Sequence, residues 1–282
     1  MPALADHTCV VTGANTGIGL ATAKELAALG AHVVLACRSR PKTEAAMDEI
    51  RAATPKARLS FLELDLAELS AVRRAADELL REHPSVDLLI NNAGLAGQRG
   101  ETKDGFELAF GVNHLGHYLF TRLVLDAVSA SPAPRIVHVS SNSHYSAKGI
   151  DFEAVRRPTK TVTGLKEYGV SKLCNVLFSA ELTRVLGKDS PIKNYSLHPG
   201  AVASDVWRRI PWPVRPIMKR FMLTNEEGAR TTLHCATSSE AASQTGLYYD
   251  DCKVRRPSRA AQDEALAAEL WAKSAEWVGL DP

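Results

Sequence analysis

A tyrosine and a lysine stand four positions apart in the stretch EYGVSK at 167–172. The stretch begins an apolar-periodic segment that predicts a helix, so Tyr168 and Lys172 would leave the same face one turn apart. A phenol has a pKa near ~10, and a neighbouring cation lowers that pKa. When the carbon of a carbonyl group accepts hydride, negative charge develops on its oxygen, and this pair could give that oxygen a proton. The alternative is a chance pair on the protein surface.

The rest of the chain indicates how such a helix would be positioned. Short β-branched runs alternate with helix-like segments along the 282 residues. We predict strands at 7–11, 31–37, 58–65, 86–92, 135–141, 194–200 and 246–251. Strands that are apolar on both faces and separated by helices are typical of a parallel sheet covered on both sides. The sequence thus predicts one doubly wound Rossmann-type α/β domain over residues 1–282, with about seven strands.

Composition excludes several classes of function. The formal net charge is +2, and no long basic run indicates a nucleic-acid partner. The five cysteines lack a CxxC pair and no histidine has metal-ligand spacing, so we expect neither a disulfide framework nor a metal site. No window approaches the ~18 apolar residues of a membrane span, and the N-terminus lacks a signal-peptide pattern. We expect a cytoplasmic protein.

A glycine-rich turn follows the first predicted strand. Gly13, Gly17 and Gly19 lie in VTGANTGIGL, between that strand and a helix. Glycines there let the backbone approach a pyrophosphate, which the helix N-terminus stabilises. The spacing is TGxxxGIG rather than GxGxxG, and a plain tight turn is the alternative. The position after the first strand favours a dinucleotide cofactor.

The end of the second predicted strand indicates which dinucleotide binds. An NAD enzyme usually has an acidic residue ~20 positions after the glycine motif, but no Asp or Glu occurs between Glu25 and Glu44. Arg38 and Arg40 stand there instead. Guanidinium groups suit the 2′-phosphate of NADP. We therefore predict NADP(H), with NAD(H) less favoured; two solvated loop arginines are the alternative.

Several motifs occur together and in order. They are TGANTGIG, NNAG at 91–94, VNH around Asn113, VSS at 139–141, YGVSK and HPG at 198–200. In this the chain resembles the short-chain dehydrogenase/reductases over nearly its whole length. The stretches ANTGIG, LACR, NHLGHYLF, SKLCNVLF, SLHPG and EGARTTLHCA are similar to the retinol dehydrogenase branch of that family.

The resemblance implies a catalytic set of Asn113, Ser141, Tyr168 and Lys172. In the family the tyrosine is the general acid/base and the serine holds the substrate oxygen. The lysine binds the nicotinamide ribose, and the asparagine holds a water that links the lysine towards solvent. Ser140 is the alternative to Ser141, because adjacent strand residues face opposite sides.

The resemblance also implies a cofactor site. Its residues are Gly13, Asn15, Thr16, Gly17, Ile18, Gly19, Arg38, Arg40, Asp65, Leu66, Asn92, Ala93, Gly94, Tyr168, Lys172, Pro199, Gly200, Val202 and Ser204. Asp65 matches the aspartate that accepts from the adenine amino group. Its alternative role is that of a turn or helix-cap residue.

The segment 205–225 lies where the family places its substrate lid. Its tryptophans, methionines and phenylalanine suit a lipophilic substrate such as a retinoid, steroid, lipid aldehyde or aromatic ketone. These apolar residues could instead pack the lid onto the body of the protein or form an oligomer contact, and the basic residues of the segment could rest on an anionic membrane surface. A homo-oligomer is expected by resemblance. Other functions are a catalytically silent NADP-binding redox sensor, or an epimerase-like enzyme, which normally needs a larger C-terminal domain.

Overall fold

The computed structural model describes residues 4–200 and 223–282. Strands from along the whole of this part of the chain form one mostly parallel sheet. Its order is β3-β2-β1-β4-β5-β6-β7-β8. The strands are β1 Thr8–Thr12, β2 His32–Cys37, β3 Arg58–Glu63, β4 Leu88–Asn91, β5 Arg135–Val139, β6 Lys193–His198, β7 Leu247–Asp250 and β8 Lys253–Val254. The first seven match the predicted strands and pair in parallel. The predicted Rossmann-type fold is confirmed.

The eighth strand was not predicted. β8 pairs antiparallel with β7 through a two-residue turn at Asp251 and Cys252, whose φ angles are 49° and 58°. Positive φ at both central positions is typical of a tight hairpin turn, which usually carries Asn-Gly or Asp-Gly. Because cysteine stands in the second position where glycine is usual, the sequence does not show the pattern that predicts a hairpin.

Helices cover both faces of the sheet. They are α1 Gly17–Ala28, α2 Arg40–Ala53, α3 Leu69–Glu82, α4 Leu108–Phe110, α5 Gly116–Leu123, α6 Leu125–Ser129, α7 Leu165–Leu186, α8 Asn225–Thr237, α9 Ser239–Ala242 and α10 Glu264–Val278. A π-helical turn, Gly111–Leu115, joins α4 to α5, and 3₁₀ turns lie at Asn142–Ser146, Ala154–Arg156 and Ala260–Gln262.

Each face of the sheet has its own hydrophobic core. Val10 of β1 packs into the core beneath α3, α5, α7 and α10, while the next residue, Val11, packs into the core beneath α1, α2 and α8. Both valines are fully buried. Successive side chains of a strand point to opposite faces, so a strand covered on both sides must be apolar throughout. This explains the uninterrupted apolar runs in the sequence.

The direction of winding reverses at β1. Its neighbours are β2 on one side and β4 on the other. In an open α/β sheet, ligands bind outside the carboxyl ends of the strands at such a reversal. Gly13, Asn92, Ser141 and Pro199 follow β1, β4, β5 and β6 at this edge. The fold therefore brings the predicted motifs to one crevice.

The C-terminal helix α10 lies across α5 and α7. The Trp271 ring packs 5.2 Å from that of Tyr118 and 5.9 Å from that of Phe178, measured between centroids. Ser274 Oγ lies 3.0 Å from His114 Nε2. The end of the chain thus packs on the helix that carries Tyr168.

Two predictions lie partly beyond the described residues. Most of the proposed lid, 205–225, falls outside them, as do Val202 and Ser204. Within residues 4–200 and 223–282, no helix is both long and apolar enough to cross a bilayer.

Candidate active site

Tyr168 and Lys172 lie in the first two turns of α7. Both are buried, with relative exposures of 8% and 3%, so they are not a chance surface pair. Lys172 Nζ lies 5.7 Å from the centroid of the Tyr168 ring. The helix begins after Gly164, whose φ is 64°. Glycine adopts this left-handed backbone conformation readily because it has no side chain, and the conformation directs the chain into the helix at this point.

The lysine ammonium is held by the end of β5. Nζ donates to the backbone carbonyl of Val139 at 2.8 Å. A methyl group placed at Gly94 would lie 3.4 Å from Nζ and 3.3 Å from Asn113 Oδ1. The missing side chain of Gly94 therefore leaves space beside the ammonium. Burial lowers the pKa of Lys172 to about 7, because desolvation disfavours the charged form.

The pKa of Tyr168 departs from the sequence-based expectation that Lys172 would lower it. Burial raises this pKa, and the hydrogen bond with Ser141 opposes the rise. The ammonium of Lys172 is bonded to the Val139 carbonyl and is itself weakly basic in this site. Desolvation of the phenol is therefore the largest influence on its pKa within the chain.

The two adjacent serines after β5 have different surroundings. Ser141 is extended, and its hydroxyl accepts from the Ser143 amide at 3.1 Å and lies 3.2 Å from Ser143 Oγ. It also lies beside the phenol of Tyr168 and opposes the rise in the pKa of that phenol. Ser140 is buried, and its hydroxyl donates to the backbone carbonyl of Lys172 at 2.7 Å. Ser141 is thus the serine that shares the site with Tyr168.

Asn113 lies in the π-helical turn, and its side chain hydrogen-bonds this turn to the segment after β4 and to α7. Its Nδ2 donates to Leu95 O at 3.0 Å and to Ser171 Oγ at 2.9 Å. Its Oδ1 accepts from Leu95 N at 2.9 Å. Single π-turns of this kind often occur at functional sites. The side chain joins the segment after β4 to α7 next to Lys172.

A buried hydrogen-bonded chain at Thr12 was not predicted. Thr12 Oγ1 accepts from the amides of Asn92 and Ala93, each at 2.9 Å, and lies 2.8 Å from His117 Nε2. His117 Nδ1 lies 3.0 Å from the Asn113 carbonyl oxygen. That carbonyl can only accept, so Nδ1 carries the proton and Thr12 donates to Nε2. The chain joins β1, the NNAG segment and the π-helical turn.

The glycine turn has the shape that a dinucleotide needs. Gly13 and Gly17 have φ of 67° and 58°. A methyl group at Gly19 would collide with the Gly13 carbonyl oxygen and lie 2.5 Å from Asn92 Nδ2. Asn15, Thr16 and Ile18 complete the turn into the first residues of α1. The amides of this helix start are suited to a pyrophosphate, so the residues fit a dinucleotide.

The two arginines predicted to select NADP differ in their surroundings. Arg38 is exposed directly after β2. Arg40, the first residue of α2, lies with its guanidinium carbon 4.3 Å from the Phe61 ring centroid and a nitrogen 3.9 Å from the Glu44 carboxylate. Its contacts are therefore with the protein itself, which leaves Arg38 as the stronger candidate for a phosphate.

The remaining predicted cofactor residues follow β3 and β6. Asp65 Oδ1 accepts from the Ala67 amide at 3.0 Å, which is the turn role considered as its alternative. Leu66 is buried beside it. Pro199 and Gly200 follow β6, and Gly200 has φ of 91°. These residues lie at the same edge of the sheet as the glycine turn.

Comparison with known proteins gives consistent results. The family model for short chain dehydrogenase matches residues 7–212. Retinol dehydrogenase 13 of Homo sapiens is 40% identical over 283 residues, which cover 97% of this chain and 85% of that protein. An uncharacterized protein from Mycobacterium paratuberculosis aligns with a TM-score of 0.80 and 33% identity, covering 100% of this chain and 96% of the other.

A more distant structure shares the fold. The short chain dehydrogenase from Escherichia coli CFT073, complexed with NADPH, has a TM-score of 0.70 at 19% identity and covers 88% of this chain and 98% of its own.

Proposed function

Because the chain belongs to the short-chain dehydrogenase/reductase family, in its retinol dehydrogenase-like branch, we propose that it transfers hydride between NADP(H) and a lipophilic substrate. The substrate is a carbonyl compound in one direction and a primary or secondary alcohol in the other. Membership makes the chain an oxidoreductase, and related folds complexed with NADPH and NADH support a nicotinamide cofactor. The observation that carries the proposal is the burial of Tyr168 beside Ser141 and Lys172, at the crevice where the glycine turn lies.

In this proposal Tyr168 is the general acid during reduction. The nicotinamide, when bound, supplies or accepts the hydride. Ser141 Oγ holds the substrate oxygen next to the phenol, and Tyr168 gives that oxygen its proton as negative charge develops. In the oxidative direction the phenolate takes the proton back. The raised pKa of Tyr168 keeps the phenol protonated at neutral pH, which suits the acid role in reduction.

Lys172 has two roles in the proposal. Gly94 leaves room for the nicotinamide ribose beside Nζ, and the ammonium would bond the ribose hydroxyls. The Lys172 ammonium, near the phenol, would also favour the phenolate that forms when Tyr168 gives up its proton. Asn113 keeps the segment containing Gly94 close to Lys172 through its bonds to Leu95 and Ser171.

The preference for NADP(H) rests on charge. Arg38 is exposed at the end of β2, and no carboxylate lies between Glu25 and Glu44 in the sequence to repel a 2′-phosphate. The relatives named retinol dehydrogenases and the apolar residues of segment 205–225 support a lipophilic substrate. Homo-oligomer formation stays a prediction.

The proposal is tested by following NADPH absorbance with all-trans-retinal, a steroid ketone, decanal and acetophenone. We expect oxidation of NADPH with at least one of these compounds and slower oxidation of NADH. A silent redox sensor would bind NADPH without oxidising it. An epimerase-like enzyme would keep its cofactor bound and regenerate it in each cycle, so it would show no net consumption of NADPH. Binding without consumption across the panel contradicts the proposal.

A further inference from the structure

His144 lies three residues after Ser141, in the 3₁₀ turn Asn142–Ser146, and has no exposed surface. Its Nδ1 lies 2.8 Å from the Ser141 carbonyl oxygen, and its Nε2 accepts from the Ser258 amide at 3.1 Å. A carbonyl can only accept and an amide N–H can only donate. The two partners therefore fix one neutral tautomer, with the proton on Nδ1. Burial favours the same neutral state, since it lowers the pKa of the imidazole.

The imidazole joins two segments that are far apart in the sequence. One is the loop after β5 that contains Ser141. The other is residues 255–263, which we call the strap, between β8 and α10. Tyr145, next to His144, donates from its hydroxyl to the Arg256 carbonyl at 2.7 Å, so the strap is bonded to the loop at two places.

Aromatic packing fixes the orientation of the imidazole. The rings of Tyr145 and Tyr248 lie 4.1 Å and 4.9 Å from it, between centroids. Tyr248 also donates to Asn142 Oδ1 at 3.0 Å, which ties β7 to the same turn. The ring therefore cannot swing away from the Ser141 carbonyl without disturbing its neighbours.

The carbonyl of Ser141 depends on these contacts. Within the described residues, β6 bonds the amides of the residues on either side of Ser141, and the Asn142 amide donates to His198 Nδ1 at 3.3 Å. β5 ends at Val139, and the ladder to β6 continues only as far as the Ser140 amide, which donates to Leu197 O at 2.7 Å. The Ser141 carbonyl receives the His144 side chain and the His144 amide, at 2.8 Å and 3.0 Å. His144 thus supplies both of these bonds to the carbonyl of the serine that faces Tyr168.

We propose that His144 is a positioning residue. It anchors the Ser141 backbone to the strap and so keeps the Ser141 hydroxyl aligned with the phenol of Tyr168. This inference rests on the proposed function, in which Ser141 holds the substrate oxygen. Displacement of such a group by about 1 Å can cost on the order of a hundredfold in rate.

Three substitutions separate the two hydrogen bonds. His144→Asn places an amide nitrogen near the position of Nδ1, so it keeps the bond to Ser141 and loses the bond to Ser258. His144→Gln places an amide oxygen near the position of Nε2, so it keeps the bond to Ser258 and loses that to Ser141. His144→Phe keeps the ring and loses both bonds. Turnover is measured with NADPH and decanal, and amide exchange is measured in the strap.

We expect kcat to fall by about ten- to a hundredfold in His144→Phe and His144→Gln, with the NADPH dissociation constant unchanged. His144→Asn should keep kcat within about threefold of wild type and yet show faster exchange in the strap. In a Ser141→Ala background, His144→Phe should cause little further loss, because both changes act through the same hydroxyl.

Two results would overturn the positioning role. One is an additive loss of kcat in the double variant, and the other is wild-type kcat in His144→Phe with only a lower melting temperature. Tyr168→Phe, measured in parallel, reports on the proposed chemistry by itself. A protein that loses turnover in Tyr168→Phe but keeps it in His144→Phe therefore overturns the role of His144 and leaves the proposed function intact.

Discussion

The hydroxyl of Ser140 donates to the backbone carbonyl of Lys172 at 2.7 Å, while the hydroxyl of its neighbour Ser141 lies beside the phenol of Tyr168 and opposes the rise in the pKa of that phenol. Two adjacent serines thus contact the same helix in different ways. One is bonded to the backbone of α7, and the other meets the side chain proposed as the acid. The two positions should therefore respond differently to the same substitution.

Alanine at each serine tests this difference. Ser141→Ala should lower kcat by about ten- to a thousandfold, since it removes a hydrogen bond to the reacting oxygen; it also removes the acceptor of the Ser143 amide, which should lower the free energy of unfolding by about 0.5–2 kcal/mol. Ser140→Ala leaves the Lys172 carbonyl without this donor, so it should lower the free energy of unfolding by about 1–3 kcal/mol. Urea unfolding and steady-state kinetics on both variants measure the two effects. The opposite pattern would make Ser140 the substrate contact.

Tyr168→Phe removes the proposed proton donor and keeps the ring. General acid catalysis contributes on the order of 10²–10⁴-fold, so turnover should fall by about that amount. NADPH affinity should change little, because the ring still fills its buried position. If the variant keeps more than about a tenth of wild-type turnover when chemistry limits the rate, Tyr168 is not the acid.

The buried lysine should make stability depend on pH. The pKa of Lys172 is about 7 in the folded chain, below its unfolded value of about 10.4. Between these values the unfolded state binds a proton that the folded state lacks, so the free energy of unfolding should rise with pH. Below pH 7 both states are protonated and the contribution is constant. Urea unfolding measured at pH 6–9.5 gives the free energy of unfolding at each pH. This free energy should rise less steeply with pH in Lys172→Met than in wild type, and an equal rise in both would contradict the low pKa.

Cofactor choice is tested at Arg38. A charge-assisted hydrogen bond is worth about 1.5–3 kcal/mol, or roughly ten- to a hundredfold in affinity. Arg38→Leu should weaken NADPH binding by about that factor and leave NADH binding almost unchanged. Arg40→Leu is the matched control, because Arg40 contacts Phe61 and Glu44, and it should alter the preference much less. Equal wild-type affinity for both cofactors would exclude the NADP assignment.

The close packing at Gly19 gives a stability and binding test. Gly19→Ala forces a methyl group against the Gly13 carbonyl and Asn92, so it should destabilise the fold by about 1–3 kcal/mol and weaken NADPH binding. At Gly149 a methyl group would meet no atom within 4 Å, so Gly149→Ala should stay within about 0.5 kcal/mol of wild type. Melting temperatures and NADPH titrations compare the pair.

Local patterns were enough to predict the strands. The runs around Val10 and Val11 are apolar because both faces of β1 are covered, so they could be recognised without a structure. Tyr168 and Lys172 were found because their spacing has meaning on any helix. Ser141 was preferred to Ser140 from the family pattern, because alternation shows only that the two serines face opposite sides; how each of them meets α7 was not visible in the sequence.

Contacts between distant segments were not predictable. His144 gave no sequence signal, since its partner Ser258 is separated from it by 114 positions. The histidines at 114, 117 and 138 were expected to be satisfied polar groups. His117 is bonded at both nitrogens, whereas His114 Nδ1 and His138 Nε2 are buried without a hydrogen-bond partner within the described residues. Burial also reversed the expected pKa shift of Tyr168, because desolvation depends on the whole fold.

The packing of α10 on α5 and α7 affects the order in which the protein can mature on the ribosome. His114 and Ser274, which meet in that contact, are 160 positions apart, and α7, which carries Tyr168, ends at Leu186, well before α10 begins at Glu264. Until residues 264–278 emerge, Tyr118 and Phe178 lack the Trp271 ring that packs against them. A premature stop before residue 264 would therefore expose an apolar surface on the nascent chain, where chaperones and proteases act.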